Sequence, residues 1–136
     1  MALVLMLSML TLIAGCGKDG IVGQWDMVEI YVDGMTSDEY IEKAEREHIY
    51  GVESEMESFL SMEWQFKSNG DLIWTFDGVD SRYEFKYEIE DDNLTIDMVG
   101  YSNRTMEMTY ELDGDELILY LVEDDGEVWK HVLERK

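Results

Sequence analysis

MEWQFKSNGDLIWTF, residues 62–76, carries two runs of alternating side chains around a short polar turn. Met62, Trp64 and Phe66 alternate with Glu63, Gln65 and Lys67, the period of two that marks a strand with one buried face. Asn69-Gly70, between Ser68 and Asp71, supplies the left-handed backbone that a tight hairpin turn needs. Residues 72–76 then run back alongside the first strand. A helix would scatter these aromatic residues around its axis, whereas a strand collects them on one face. The stretch reads as a β-hairpin.

The same pattern continues on the C-terminal side. Asp77-Gly78 turns into a strand in which Tyr83, Phe85, Tyr87 and Ile89 alternate with Arg82, Glu84, Lys86, Glu88 and Glu90. Asp91-Asp92-Asn93 leads to Leu94, Ile96 and Met98. Residues 100–103 turn into Met106, Met108, Tyr110 and Leu112, set against Glu107, Thr109 and Glu111. Asp113-Gly114-Asp115 precedes the most apolar run, LILYLV at 117–122, and Asp124-Asp125-Gly126 precedes a last strand at about 127–134. On the N-terminal side, IVGQWDMVEIYV at 21–32 makes a first strand. The total is eight strands, seven of them in a close-spaced series. The chain has no proline to interrupt a ladder.

One segment departs from this rhythm. TSDEYIEKAEREHIY, residues 36–50, places Ser37 as an N-cap before acidic residues in a first turn. Glu39 with Lys43 and Glu42 with Arg46 are favourable pairs at spacing four, and Ile41, Ala44 and His48 share a narrow stripe. A short helix is expected in the long first connection. The fold class is therefore all-β, an eight-stranded antiparallel up-and-down barrel with that connection over one mouth. Closure removes both exposed sheet edges. A two-sheet sandwich has the same alternation and remains the alternative.

Composition sets outer bounds. A chain of 136 residues is enough for one domain with a modest core. Its formal charge of −22, from 32 acidic and 10 basic residues, excludes a general binder of nucleic-acid backbones. Hydrophobic residues at 46% exclude a disordered acidic tail.

All of that charge falls after residue 17. Residues 2–14 are apolar apart from Ser8 and Thr11, too short a run to span a bilayer, which takes about 20 residues, but suited to the core of a secretory signal. It ends in LIAGCGKDG, residues 12–20, which contains the only cysteine. Ile13-Ala14-Gly15-Cys16 resembles the lipobox of bacterial lipoproteins. The resemblance implies a signal peptide over 1–15, a diacylglyceryl group on Cys16, a tether over 16–20 and a domain over 21–136. It also implies a lipid-anchored, extracytoplasmic place at the cell membrane or envelope. Two acyl chains, at about 0.8 kcal/mol per buried CH₂, anchor a protein stably.

The domain itself resembles a known family. Gly23-Gln24-Trp25 fits the Gly-x-Trp motif near the start of lipocalins. Phe66-Lys67-Ser68-Asn69-Gly70-Asp71, followed by Trp74, is similar to a hairpin of small bacterial lipocalin-like lipoproteins. The likeness covers roughly residues 20–135. In lipocalins the motif Trp closes the barrel base against a basic side chain from a late strand. By resemblance Gly23 and Trp25 are structural, with Arg135 the candidate partner and Lys130 behind it.

No catalytic constellation emerges. His48 and His131 are the only imidazoles, and neither sits in a metal-binding spacing; His131 reads as a strand-surface or mouth residue. No Gly-x-Ser-x-Gly elbow occurs, and the acidic pairs sit at turns, which favour Asp for backbone reasons. No enzyme activity, cofactor or metal is expected. The informative residues are apolar: Trp64, Trp74, Phe76, Tyr83, Phe85, Tyr87, Met106 and Met108 alternate on neighbouring strands. Pointing into a small barrel, they line either a packed core or a pocket for one small ligand. Two functions follow. The first is a membrane-tethered module that binds a small hydrophobic or amphipathic ligand under a lid at 36–50, with mouth carboxylates disfavouring anions. The second is a filled barrel whose acidic surface meets a cationic protein or envelope component.

Overall fold

The computed structural model describes residues 18–101 and 104–136. Residues 1–17, with Cys16 and its lipobox, lie outside the described residues, as do positions 102 and 103 of one turn. A helical turn, α1 (Lys18–Ile21), leads into β1 (Gly23–Val32), β2 (Met35–Thr36), α2 (Ser37–Arg46) and α3 (Val52–Leu60). A strand series follows: β3 (Met62–Phe66), β4 (Asp71–Phe76), β5 (Val79–Asp80), β6 (Phe85–Glu90) and β7 (Asn93–Met98). It ends with β8 (Thr105–Asp113), β9 (Glu116–Val122) and β10 (Val128–Arg135).

Eight of these strands form a closed antiparallel barrel, and β2 and β5 are two-residue additions to β1 and β4. The barrel closes through β1 and β10, which pair from Trp25 opposite Arg135 to Val32 opposite Trp129, with a bulge between Met27 and Glu29. That ladder rules out the sandwich. The hairpin at 62–76 forms in the expected register, with Met62 opposite Phe76, Trp64 opposite Trp74 and Phe66 opposite Leu72. Gly70 takes φ +93° in its turn, a conformation open to glycine at little cost.

Three local readings need correction. The N-cap of α2 is Thr36, not Ser37. Its hydroxyl accepts from the Glu39 amide, and the Glu39 carboxylate accepts from the Thr36 amide. The helix ends at Arg46, well short of residue 50, and a second helix, α3, follows. Val52, Met56, Phe59 and Leu60 fall on one face of α3 and pack on the barrel, a helical spacing visible in the sequence. Lastly, β6 begins at Phe85, so Tyr83 lies outside the strand to which its alternation assigns it.

The two ends of the barrel differ. At the end where β1 starts, α1 tucks Ile21 beneath the barrel, and Trp25, Phe66, Tyr87 and Leu117 are fully buried around it. Burying side chains of this size contributes about 1.5–3 kcal/mol each. The opposite end is less full, and the candidate site is there.

Candidate functional site

At the filled end, Arg135 holds the base together. Its guanidinium carbon stands 4.2 Å from the ring centre of Trp25. Its Nη1 donates to the Val22 carbonyl at 3.0 Å and Nη2 to the Gly20 carbonyl at 2.9 Å, while Nε lies 3.4 Å from an Asp115 carboxylate oxygen. Trp25 Nε1 donates to the Ile21 carbonyl at 2.8 Å. Gly23 has φ +140°, and a Cβ there would meet Arg135 Nη1 at 2.8 Å. Arginine suits this role because its planar fork reaches two carbonyls while its face stacks on an indole. Lys130 stands elsewhere, 5.1 Å over the Tyr31 ring.

At the other end lies a cavity of about 240 Å³. The alternation of β3 and β4 brings Trp64, Trp74 and Phe76 to it, and β8 brings Met106 and Met108. These are five of the eight residues named from the sequence. Phe85 and Tyr87 are buried but do not line it. The Phe85 ring packs 4.1 Å from that of Trp74, and Tyr87 meets Phe66 edge-on and donates its hydroxyl proton to the Lys67 carbonyl. Tyr83 is 37% exposed and packs edge-on against Tyr101 outside the barrel. Its position is a consequence of β6 starting two residues later.

Other lining residues were not foreseen. Trp129 and His131 enter from β10, Leu121 from β9, and Phe59 and Glu55 from α3. His131 is therefore a cavity residue, 8% exposed, rather than one on the strand surface. The period-two set Trp129, His131 and Leu133 was its available signal. The covering element also differs from the expected lid. Residues 36–50 supply none of the lining; α3 does, and Tyr40 of α2 reaches only the edge of Trp129. Trp129 is held by Phe59 at 5.9 Å and by its own Nε1, which donates to Glu127 Oε1 at 2.7 Å.

Three ring nitrogens of the lining residues are enclosed behind the cavity wall. Trp64 Nε1, Trp74 Nε1 and His131 Nδ1 are buried out of reach of the cavity and have no hydrogen-bond partner among the described residues. Such an unpaired buried group costs about 1–3 kcal/mol. Burial lowers the His131 pKa from 6.5 to about 4, which leaves a neutral imidazole at neutral pH. Glu55 and Glu123 are the charged lining residues, both solvent-exposed. Among the described residues, no group of His, Cys, Asp or Glu side chains is arranged to hold a metal ion.

A closed eight-stranded barrel, sealed at one end by a Trp–Arg stack and hollow among aromatic residues at the other, is the architecture of the calycin class of binding proteins. The family comparison agrees: a model of the lipocalin-like domain matches residues 21–119, and the chain belongs to that family. No curated protein matches the chain.

Proposed function

We propose that this protein is a membrane-tethered, lipocalin-like binding protein that holds one small hydrophobic or amphipathic molecule in the cavity under α3. The observation that carries this reading is the aromatic-lined cavity at the hollow end of the barrel, walled by Trp64, Trp74, Phe76, Trp129 and His131. Specific pockets are lined predominantly by such apolar and aromatic side chains. The cavity lies below the ~300 Å³ at which most ligand pockets begin and above the ~150 Å³ that accommodates benzene. The part of its occupant held inside is accordingly about ten non-hydrogen atoms. The tether rests on the Ile13-Ala14-Gly15-Cys16 sequence and places the barrel at the outer side of a cell membrane.

Native mass spectrometry of the protein purified from its host, before and after organic extraction, tests the binding function. A small adduct lost on extraction is the expected result. A single unchanged mass, with no quenching of tryptophan fluorescence by small aromatic probes, would favour a barrel acting through its acidic surface on a cationic partner. For the anchor, Cys16→Ala should shift the protein out of the membrane fraction or leave its precursor uncleaved. Unchanged fractionation and processing would refute it.

A further inference from the structure

Gly20 is fixed at the filled end of the barrel. Its carbonyl accepts from Arg135 Nη2 at 2.9 Å, and a Cβ at Gly20 would meet Leu112 Cδ2 at 2.9 Å. Cys16 precedes Gly20 by four residues. An extended chain covers at most about 3.6 Å per residue, so Cys16 lies within about 14 Å of that base. The cavity is at the far end, lined by Met62, the first residue of β3, Phe76, the last of β4, Trp129, the second of β10, and Phe59 of α3. The ten residues of β1, at about 3.3 Å each and tilted by about 40°, give a barrel about 25 Å tall. We propose that the barrel stands on its filled end at the anchoring membrane, with the cavity mouth turned away from the lipid and open to the aqueous side. The occupant then reaches the cavity from the aqueous phase. This rests on the Cys16 anchor proposed above and specifies which end of the barrel faces the membrane.

Each of the two other arrangements meets a specific obstacle. An inverted barrel, with its mouth on the bilayer, would need the chain from Cys16 to Gly20 to run the full height of about 25 Å, and it reaches only about 14 Å. Val79, Tyr101 and Val122, the exposed apolar side chains at the mouth, are thereby kept off the anchoring lipid. A barrel on its side would lay its wall on the bilayer. The outward positions of that wall carry charge: Lys86, Glu88 and Glu90 on β6, and Glu107 and Glu111 on β8, are all exposed. Such a face offers no apolar stripe to bury at a membrane interface, and its net negative charge is repelled by anionic lipid. Standing on the filled end requires neither a longer tether nor a wall that binds lipid.

The test is fluorescence energy transfer from the acylated protein, purified from its host and bound to phosphatidylcholine vesicles, to a rhodamine-labelled lipid. Cys16 is the only cysteine, so once it is acylated an introduced cysteine is the single thiol that takes a fluorescein label. Asp92→Cys marks the turn between β6 and β7 at the filled end, and Asp124→Cys marks the turn between β9 and β10 at the mouth; both positions are exposed. Glu116→Cys and Val79→Cys, also exposed, repeat the comparison at the two ends and guard against a variant that fails to fold. The two labels of each pair should differ by about 25 Å in their distance from the membrane, with residues 92 and 116 the nearer. Equal distances would mean a barrel on its side and overturn the inference while the anchor stands. Residues 79 and 124 nearer the lipid would overturn it in favour of a mouth applied to the bilayer. A protein that carries no acyl group and does not bind the vesicles refutes the anchor itself, and this inference with it.

Discussion

Arg135 covers Trp25 at 4.2 Å and at the same time donates to the carbonyls of Gly20 and Val22. One side chain from the last strand thus joins the first strand, the helical turn before it and the buried indole at the base. Arg135→Ala removes two charge-assisted hydrogen bonds and a cation–π contact, and should destabilise by about 2–4 kcal/mol. Arg135→Lys should restore less than half of that, because an ammonium lacks the fork. Urea unfolding of the two variants measures both values; equal stability of the lysine variant and the wild type would refute the forked geometry.

Gly23 is tied to the same arginine. A Cβ at Gly23 combines φ +140° with an approach of 2.8 Å to Arg135 Nη1, so Gly23→Ala should cost about 1–3 kcal/mol. With Arg135→Ala also present, part of that cost should vanish, since the obstructing group is gone. A double-mutant cycle reads the coupling, and strict additivity would show that backbone strain alone sets the requirement for glycine.

His131 gives the fold a pH dependence of definite sign. Burial against Trp64 and Trp129 depresses its pKa from 6.5 to about 4, so the unfolded chain binds the extra proton first. Its contribution is fully present above pH 6.5 and is lost as pH falls towards about 4, about 3 kcal/mol in all. Glu55 and Glu123 line the same cavity, so the comparison needs a control. The stability difference between wild type and His131→Phe should shrink as pH is lowered through that window. Parallel pH profiles of the two proteins would contradict a buried, neutral imidazole.

Thr36 and Glu39 form a reciprocal cap at the start of α2. Thr36→Ala should cost about 1 kcal/mol, whereas Ser37→Ala, one residue inside the helix, should stay within about 0.5 kcal/mol. Thermal unfolding of the two variants distinguishes them. The converse ranking would return the N-cap to Ser37.

The strands and turns were legible in the sequence because they arise from local chemistry. The period of two in residues 62–76 and Asn69-Gly70 between the runs specify a hairpin without reference to anything distant. The pairing partner of Trp25 was reached through a family resemblance and not from spacing. The second helix had a readable apolar stripe, Val52, Met56, Phe59 and Leu60, which the long polar connection before it obscured. Tyr83 was misplaced for the opposite reason: alternation persists in the sequence for two residues beyond the point where β6 pairs.

By itself, then, the sequence determined an all-β acidic domain of eight amphipathic strands, with apolar faces marked by tryptophan, tyrosine and methionine. Tertiary structure alone decided that β1 meets β10 and closes the barrel, since that ladder joins residues about a hundred positions apart. It also decided that the same kind of inward face is packed solid around Trp25 and hollow around Trp64, Trp74 and His131. Whether an aromatic wall becomes core or cavity depends on what the opposite strands and the covering helix bring to the same volume, and no single strand carries that information.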